Sequence, residues 1–361
     1  AAGIRNLGSV NGNLDNRGSI TATATTLVSN FDIEAISFAT NGFILATAQA
    51  DAYGVDNGGT IDTGLLNNGS ITATAGNEIS DTDITGSGAA TISNMTASAY
   101  GIYNNAAIGA DVMNSGSITA TATNTIDNVD LVNFNGDAAV ERQYLYVAGI
   151  YNGNTVGTDL TNSGEITATA SNTVENAYIE GTDYAYVYSQ DASALGIVND
   201  DLIGAALDNS GTITVTASNT ISMVDFEADD AAGISDQSGL AVGILNGGGI
   251  GTDLSNSGEI TVTGSNTISM VNMDGRDNTY AWISDQSVSA YGIFNQAAIG
   301  GSLENSGTIT AAAGNTIENA YLAGTDYAYI SKQYAAAYGI SSNVAIDAAL
   351  DNSGTITATA S

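Results

Sequence analysis

One phrase is written eight times along this chain, and a chain so written is constrained to stack copies of a single unit. The phrase runs from a small hydrophobe to Asn, Gly and Ile at steps of two, then into Thr-rich alternation. It reads LDNRGSITATA from Leu14, LLNNGSITATA from Leu65, DVMNSGSITATA from Asp111 and LTNSGEITATA from Leu160. It returns as LDNSGTITVTA from Leu207, LSNSGEITVTG from Leu254, LENSGTITAAA from Leu303 and LDNSGTITATA from Leu350. The anchor glycines are Gly18, Gly69, Gly116, Gly164, Gly211, Gly258, Gly307 and Gly354, separated by 51, 47, 48, 47, 47, 49 and 47 residues. Self-similarity at such a period marks a solenoid or related array, in which each unit contacts mainly its neighbours. Residues 1–361 therefore read as one continuous array rather than as several domains.

A second phrase precedes each anchor, as in AYGVDN from Ala52, AYGIYN from Ala99 and ALGIVN from Ala194. Its glycine lies 15 residues before the next anchor glycine in every copy, so all variation in length falls in the arm between an anchor and the next such glycine. A segment of invariant length is one locked by stacking on its copies. Insertions are tolerated at an exposed turn, where closing a slightly longer loop costs little. The turns are marked by EGTD at Glu180, AGTD at Ala323, FNGD at Phe134, TNGF at Thr40 and DGRDN from Asp274, whose Gly, Asn and Asp suit positive φ. The unit can form one flat coil of about 47 residues or two coils of about 21 and 26 residues. The invariant segment favours one coil, stacked like on like.

Within the repeats the period is two: Ile166, Ala168 and Ala170 alternate with Thr167 and Thr169. Alternate residues of a strand face opposite sides, which puts Ile and Ala inside and Thr outside. Asn16, Asn67, Asn114, Asn162, Asn209, Asn256, Asn305 and Asn352 fall on the inner face. A buried amide must be hydrogen-bonded, and stacked identical amides can bond one another in a ladder. The alignment also predicts aromatic columns, Tyr184, Tyr280 and Tyr327 in one and Tyr186, Trp282 and Tyr329 in another, as packing or as a face for stacking on carbohydrate. The fold class is thus all-β: a β-solenoid, or β-helix, of about eight repeats forming an elongated rod.

Composition narrows function. Asp and Glu number 38 against 5 basic residues, for a net charge of -33, which opposes nucleic acid. No stretch reaches the ~18 apolar residues of a membrane span. There is no Pro to interrupt sheets, no Cys for disulfides and no His for a catalytic triad or for His ligation of zinc. Paired carboxylates of a polysaccharide-cleaving β-helix would be sought at Asp81 and Asp83, Asp200 and Asp201, or Asp229 and Asp230, each present in one copy. Exposed acidic loops explain them as well. No catalytic residue and no required cofactor is expected. Ca²⁺ is the one cofactor considered, with Asp183, Asp274, Asp277 and Asp326 at the arm turns as candidate weak cation sites. The outward Thr pairs, such as Thr167 and Thr169, also suggest an ice-binding array.

The phrases LxNSGxITATA and AYGIxN, spread over nearly the whole chain, resemble the repeats of bacterial autotransporter passengers and haemagglutinin-like adhesins. The resemblance implies a right-handed β-solenoid at the cell surface or outside the cell, with a structural or adhesive role and glycans or cell surfaces as partners. The expectation is a non-enzymatic structural protein. Residues 1–18 of one copy would stack on residues 339–361 of another, head to tail, building a surface or matrix filament. An adhesin passenger or stalk is the alternative.

Overall fold

The structure, a computed structural model, describes residues 1–35, 43–46, 48–275, 280–324 and 326–361. Among the described residues every regular element is a β-strand, and the strands form three parallel sheets joined by a column of single bridges. Coil 5 serves as the pattern. Its return-wall strand, Tyr184–Asn199, leads to the bridge residue Ile203, then to a short strand, Leu207–Asn209, then to the Thr-wall strand, Thr212–Ala228. The chain then turns at the arm tip into the return wall of coil 6, Ala231–Asn246.

Register decides the number of coils per repeat. Leu160 pairs with Leu207 and Leu207 with Leu254, Thr167 with Thr214 and Thr214 with Thr261. Like phrase lies on like phrase at every step, so each repeat is one long coil and eight coils stack. Val10, Ile61, Ile108, Val156, Ile203, Ile250, Ile299 and Ile346 bridge in unbroken succession through all eight. Seven steps of about 4.8 Å give an axis of about 34 Å. A 17-residue Thr-wall strand at about 3.3 Å per residue gives each coil a width of up to about 55 Å. The cross-section is flat, and length along the axis comes only from adding coils.

Alternation supplies the core. Ile213, Val215 and Ala217 are buried while Thr214 and Thr216 between them remain partly exposed. Each fully buried Ile contributes about 1.5–3 kcal/mol relative to exposure. The interior is divided in two along the coil. One core lies between the bridge column, the short sheet and the first part of the walls; the other fills the arm, around Ile84, Met95, Leu131, Val187 and Phe226.

The arm walls are not the plain alternating strands that the sequence suggests. In the Thr wall, Asn30, Asp81, Asn128, Asn176, Met223, Met270 and Asn319 stand at φ between 49 and 54°. In the return wall, Asn94, Arg142, Ser189, Asp236, Asp285 and Lys332 stand at φ between 53 and 62°. Each interrupts the alternation, as where Ile126 and Val129 both face inward, with Asp127 and Asn128 outside. Positive φ thus belongs chiefly to these mid-wall columns. At the arm tips it is found among the described residues only at Gly88 and Gly136. Residues 40–42, 276–278 and 325 of the predicted turns lie outside the described residues.

Candidate functional site

The features built most consistently into the stack are its buried amide ladders. Asn16 Nδ2 donates to Asn67 Oδ1 at 2.7 Å, Asn67 to Asn114 at 2.7 Å and Asn114 to Asn162 at 2.7 Å. The same bond links Asn162, Asn209, Asn256 and Asn305 in turn at 2.7 Å and reaches Asn352 at 2.6 Å. Each interior amide gives a proton upward and accepts one from below, as a desolvated amide requires.

Three further ladders went unread in the sequence. Asn6, Asn57, Asn104, Asn152, Asn199, Asn246 and Asn295, the last residues of the AYGIxN phrases, bond in series at 2.7–2.9 Å. Asn77, Asn124, Asn172, Asn219, Asn266 and Asn315 do so at 2.9–3.1 Å between the two cores. The signal was available: each lies eight residues after an anchor glycine. Opposite them, Gln237 Nε2 donates to Gln190 Oε1 and Gln190 Nε2 to Gln143 Oε1, both at 2.5 Å. This ladder stops at coil 7, where Gln286 Nε2 turns to Ser284 O at 3.0 Å and leaves Gln237 Oε1 without a donor.

Glycine packing locks the same columns. A Cβ on Gly211 would lie 2.0 Å from Gly164 O, and one on Gly196 would lie 2.4 Å from Ile213 Cγ2 and 2.5 Å from Gly243 O. Backbone fills the space that a side chain would need.

The expected aromatic columns are interrupted. Ala231 pairs between Tyr184 and Tyr280, and Gly233 between Tyr186 and Trp282. Trp282 covers Gly233, where a Cβ would fall 2.1 Å from Cε2. Tyr280 and Tyr327 do stack, with centroids 5.6 Å apart. More extensive stacking occurs on the outer side of the AYGIxN phrases: Tyr53 on Tyr100 at 5.1 Å, Tyr103 on Tyr151 at 5.1 Å and Tyr291 on Tyr338 at 4.9 Å. Leu195, Val198 and Val242 continue this outer stripe and are buried within it. Burial drives the Tyr100 and Tyr146 phenols well above the ordinary range, and burial with the hydrogen-bonded Asp200 carboxylate pushes Tyr151 up to about 12.

The candidate cation-site carboxylates stay apart. Asp183, Asp274 and Asp326 are exposed at separate arm tips, and Asp277 lies outside the described residues. Among the described residues no three acidic side chains converge on a point that could hold a metal ion. Asp81 accepts from Asn128 Nδ2 at 2.7 Å, and Asp201 caps its own loop through Leu202 N–H at 2.7 Å. Among the described residues no helix is long and apolar enough to cross a membrane.

On the outer face of the Thr wall, the part nearest the bridge column is chiefly Thr, and carboxylates such as Glu78, Asp127 and Glu175 follow farther along the strands. Thr21, Thr72, Thr119, Thr167, Thr214, Thr261, Thr310 and Thr357 pair in one unbroken column, and the column two residues on lacks Thr only at Ala312.

No family model, curated protein or solved structure matches the chain.

Proposed function

We propose that the protein is a non-enzymatic structural element, a stiff β-solenoid whose coils extend by stacking into a surface or matrix filament outside the cell. The observation that carries this reading is the unbroken succession of coils in one register, braced by buried amide ladders that run along the axis. A ladder of this kind has a direction. Asn352 Nδ2 turns back to Gly354 O at 3.4 Å, and Asn16 Oδ1 takes the Gly18 N–H at 3.1 Å. Coil 8 therefore offers a donor where coil 1 offers an acceptor, and the parallel sheet edges match in the same sense. The rule of register is the same for a further coil of one chain and for the first coil of another. Head-to-tail contact that does not close on itself yields a fibre. The extracellular setting accords with the passenger-like phrases.

Electron microscopy of the purified 361-residue chain tests the proposal. Fibres with an axial repeat near eight strand spacings, about 38 Å, are expected. Monodisperse particles across a wide range of concentration would refute end-to-end stacking.

A second reading, binding of ice by the Thr wall, is favoured by the in-register hydroxyl columns on that face. Thermal hysteresis in the micromolar range is its expected signature, and normal ice growth would refute it.

A further inference from the structure

The return wall carries a trough that follows from no single repeat. Tyr144, Asp191, Ser238, Ser287 and Tyr334 form one outward column through coils 4 to 8. Tyrosines stand at its two ends and small side chains between them. Beside it runs the positive-φ column of Ser189, Asp236, Asp285 and Lys332, whose outward step raises a second rim. Between the two lies a trough of about 540 Å³ lined by all these residues. From Tyr144 to Tyr334 is four coil steps, about 19 Å along the axis.

The floor of the trough is held from inside. Asn172 Nδ2 donates to Asp191 O at 3.0 Å, Asn219 to Ser238 O at 2.8 Å and Asn266 to Ser287 O at 3.0 Å. At the ends, Asn124 reaches Tyr144 O at 3.4 Å and Asn315 reaches Tyr334 O at 2.7 Å. The interior amide ladder thus pins the backbone under every position of the column. A site pre-organised in this way loses little conformational entropy when it is filled.

The lining has a definite chemistry. Tyr144 is 40% exposed and Tyr334 is 54% exposed, leaving ring surface at both ends. Ser238 and Ser287 present free-facing hydroxyls on the floor. The acceptors are Asp191, which takes a bond from Ser193 Oγ at 3.4 Å, and Asp236, which takes one from the Tyr188 hydroxyl. Asp285 is paired with Lys332 at 2.9 Å. Three carboxylates against one ammonium, on a chain of net charge -33, reject an anionic ligand. Hydroxyl donors are what carboxylates and serines can bond, and the flat apolar faces of sugar rings are what exposed tyrosines can stack against.

We infer that this trough binds a short, uncharged, linear oligosaccharide lying along the solenoid axis, with Tyr144 and Tyr334 stacking on its end rings and Asp191, Asp236, Ser238 and Ser287 bonding its hydroxyls. Binding here is independent of end-to-end stacking, since the trough is complete within one chain.

Titration calorimetry with cellotetraose, chitotetraose and mannotetraose, against tetragalacturonate as the anionic counterpart, tests the assignment. At least one neutral tetrasaccharide is expected to bind, and tetragalacturonate is not. Tyr144→Ala and Tyr334→Ala should each weaken binding about fivefold to tenfold. Ser238→Tyr, which fills the trough, should abolish it. Tyr280→Ala, an exposed tyrosine outside the trough, should leave it unchanged. Thermal unfolding of each variant separates loss of the site from loss of the fold, because all four positions are solvent-facing. Failure of every neutral sugar to bind would overturn the inference. So would tetragalacturonate binding as well as the neutral sugars, or a Ser238→Tyr variant that folds and binds normally.

Discussion

The two halves of each coil are built from the same kind of strand and obey different rules. Near the bridge column, backbone touches backbone. Gly211 sits where a Cβ would be 2.0 Å from Gly164 O, and the interval from each AYGIxN glycine to the next anchor glycine never varies. Along the arm walls the strands pair as regularly, and a Cβ on the tip glycine Gly181 would again meet backbone, Tyr184 O at 2.1 Å. Outward wall positions of the arm, however, leave room for a side chain. A Cβ on Gly76 first meets Thr123 Oγ1, at 3.1 Å, a hydroxyl that can rotate away. There the walls carry positive-φ steps, the Gln ladder stops at coil 7 and repeat length drifts. A stacked repeat is inflexible where main chain fills the interface and permissive where side chains do.

The largest expected break in this contrast is Gly211→Ala, which must displace the coil below and should cost more than about 3 kcal/mol. Gly76→Ala in the arm should change stability by less than about 0.5 kcal/mol. Urea unfolding of the pair measures both, and equal effects would contradict the distinction. Next comes Asn209→Ala, which strands the Asn162 donor and the Asn256 acceptor in a desolvated column, at about 2–4 kcal/mol. Hydrogen exchange should show faster opening of coils 4 to 6 and little change in coils 1 and 8.

A gain should come from the arm. Met223 and Met270 hold φ of 53 and 51° in a column otherwise filled by Asn and Asp. These two tolerate the left-handed region better than Met does. Met223→Asn should raise stability by up to about 1 kcal/mol, read as a shift in unfolding midpoint.

The smallest effect expected is of pH. Burial holds the Asp191 carboxyl above its usual range, burial and Asp83 raise Asp130, and burial and Asp183 raise Asp137. A carboxyl raised on folding contributes stability fully below its unfolded value, about 3.9, and loses it as pH rises through the folded value. Asp15, lowered by its bonds from Asn68 and Arg17, and Asp285, lowered by Lys332, lose their contribution only as pH falls below that range. The unfolding midpoint should therefore lose this contribution as pH rises from about 4 through the folded values, and Asp191→Asn should reduce that loss. An Asp191→Asn variant whose midpoint follows the same pH dependence as the parent chain would contradict the assignment.

Sequence carried the architecture because the repeat is nearly literal. Gly18 to Gly354 recur at an almost fixed step, and alternation assigns Ile166 inward and Thr167 outward without further information. The Asn16 column was legible because its amide shares a face with Leu and Ile. The Asn77 column shares the same regularity and was hidden by lying in the variable arm. The mid-wall steps were only partly readable: Asn30, Asp81, Asn128, Asn176 and Asn319 suit positive φ, whereas Met223, Arg142 and Lys332 have no preference for it. Stacking on the coils above and below imposes it. The trough was invisible for a related reason: Tyr144 and Tyr334 belong to different repeats and acquire a common axis only once the coils are superposed.

Pairwise spin-label distances test the superposition itself, and the chain has no native Cys to interfere. With one label fixed at Thr72 and the second moved through Thr214, Thr261, Thr310 and Thr357, the separation should rise in equal steps of about 4.8 Å. Unequal steps, or a distance that stops growing as the second label moves to later repeats, would contradict a single stack of in-register coils.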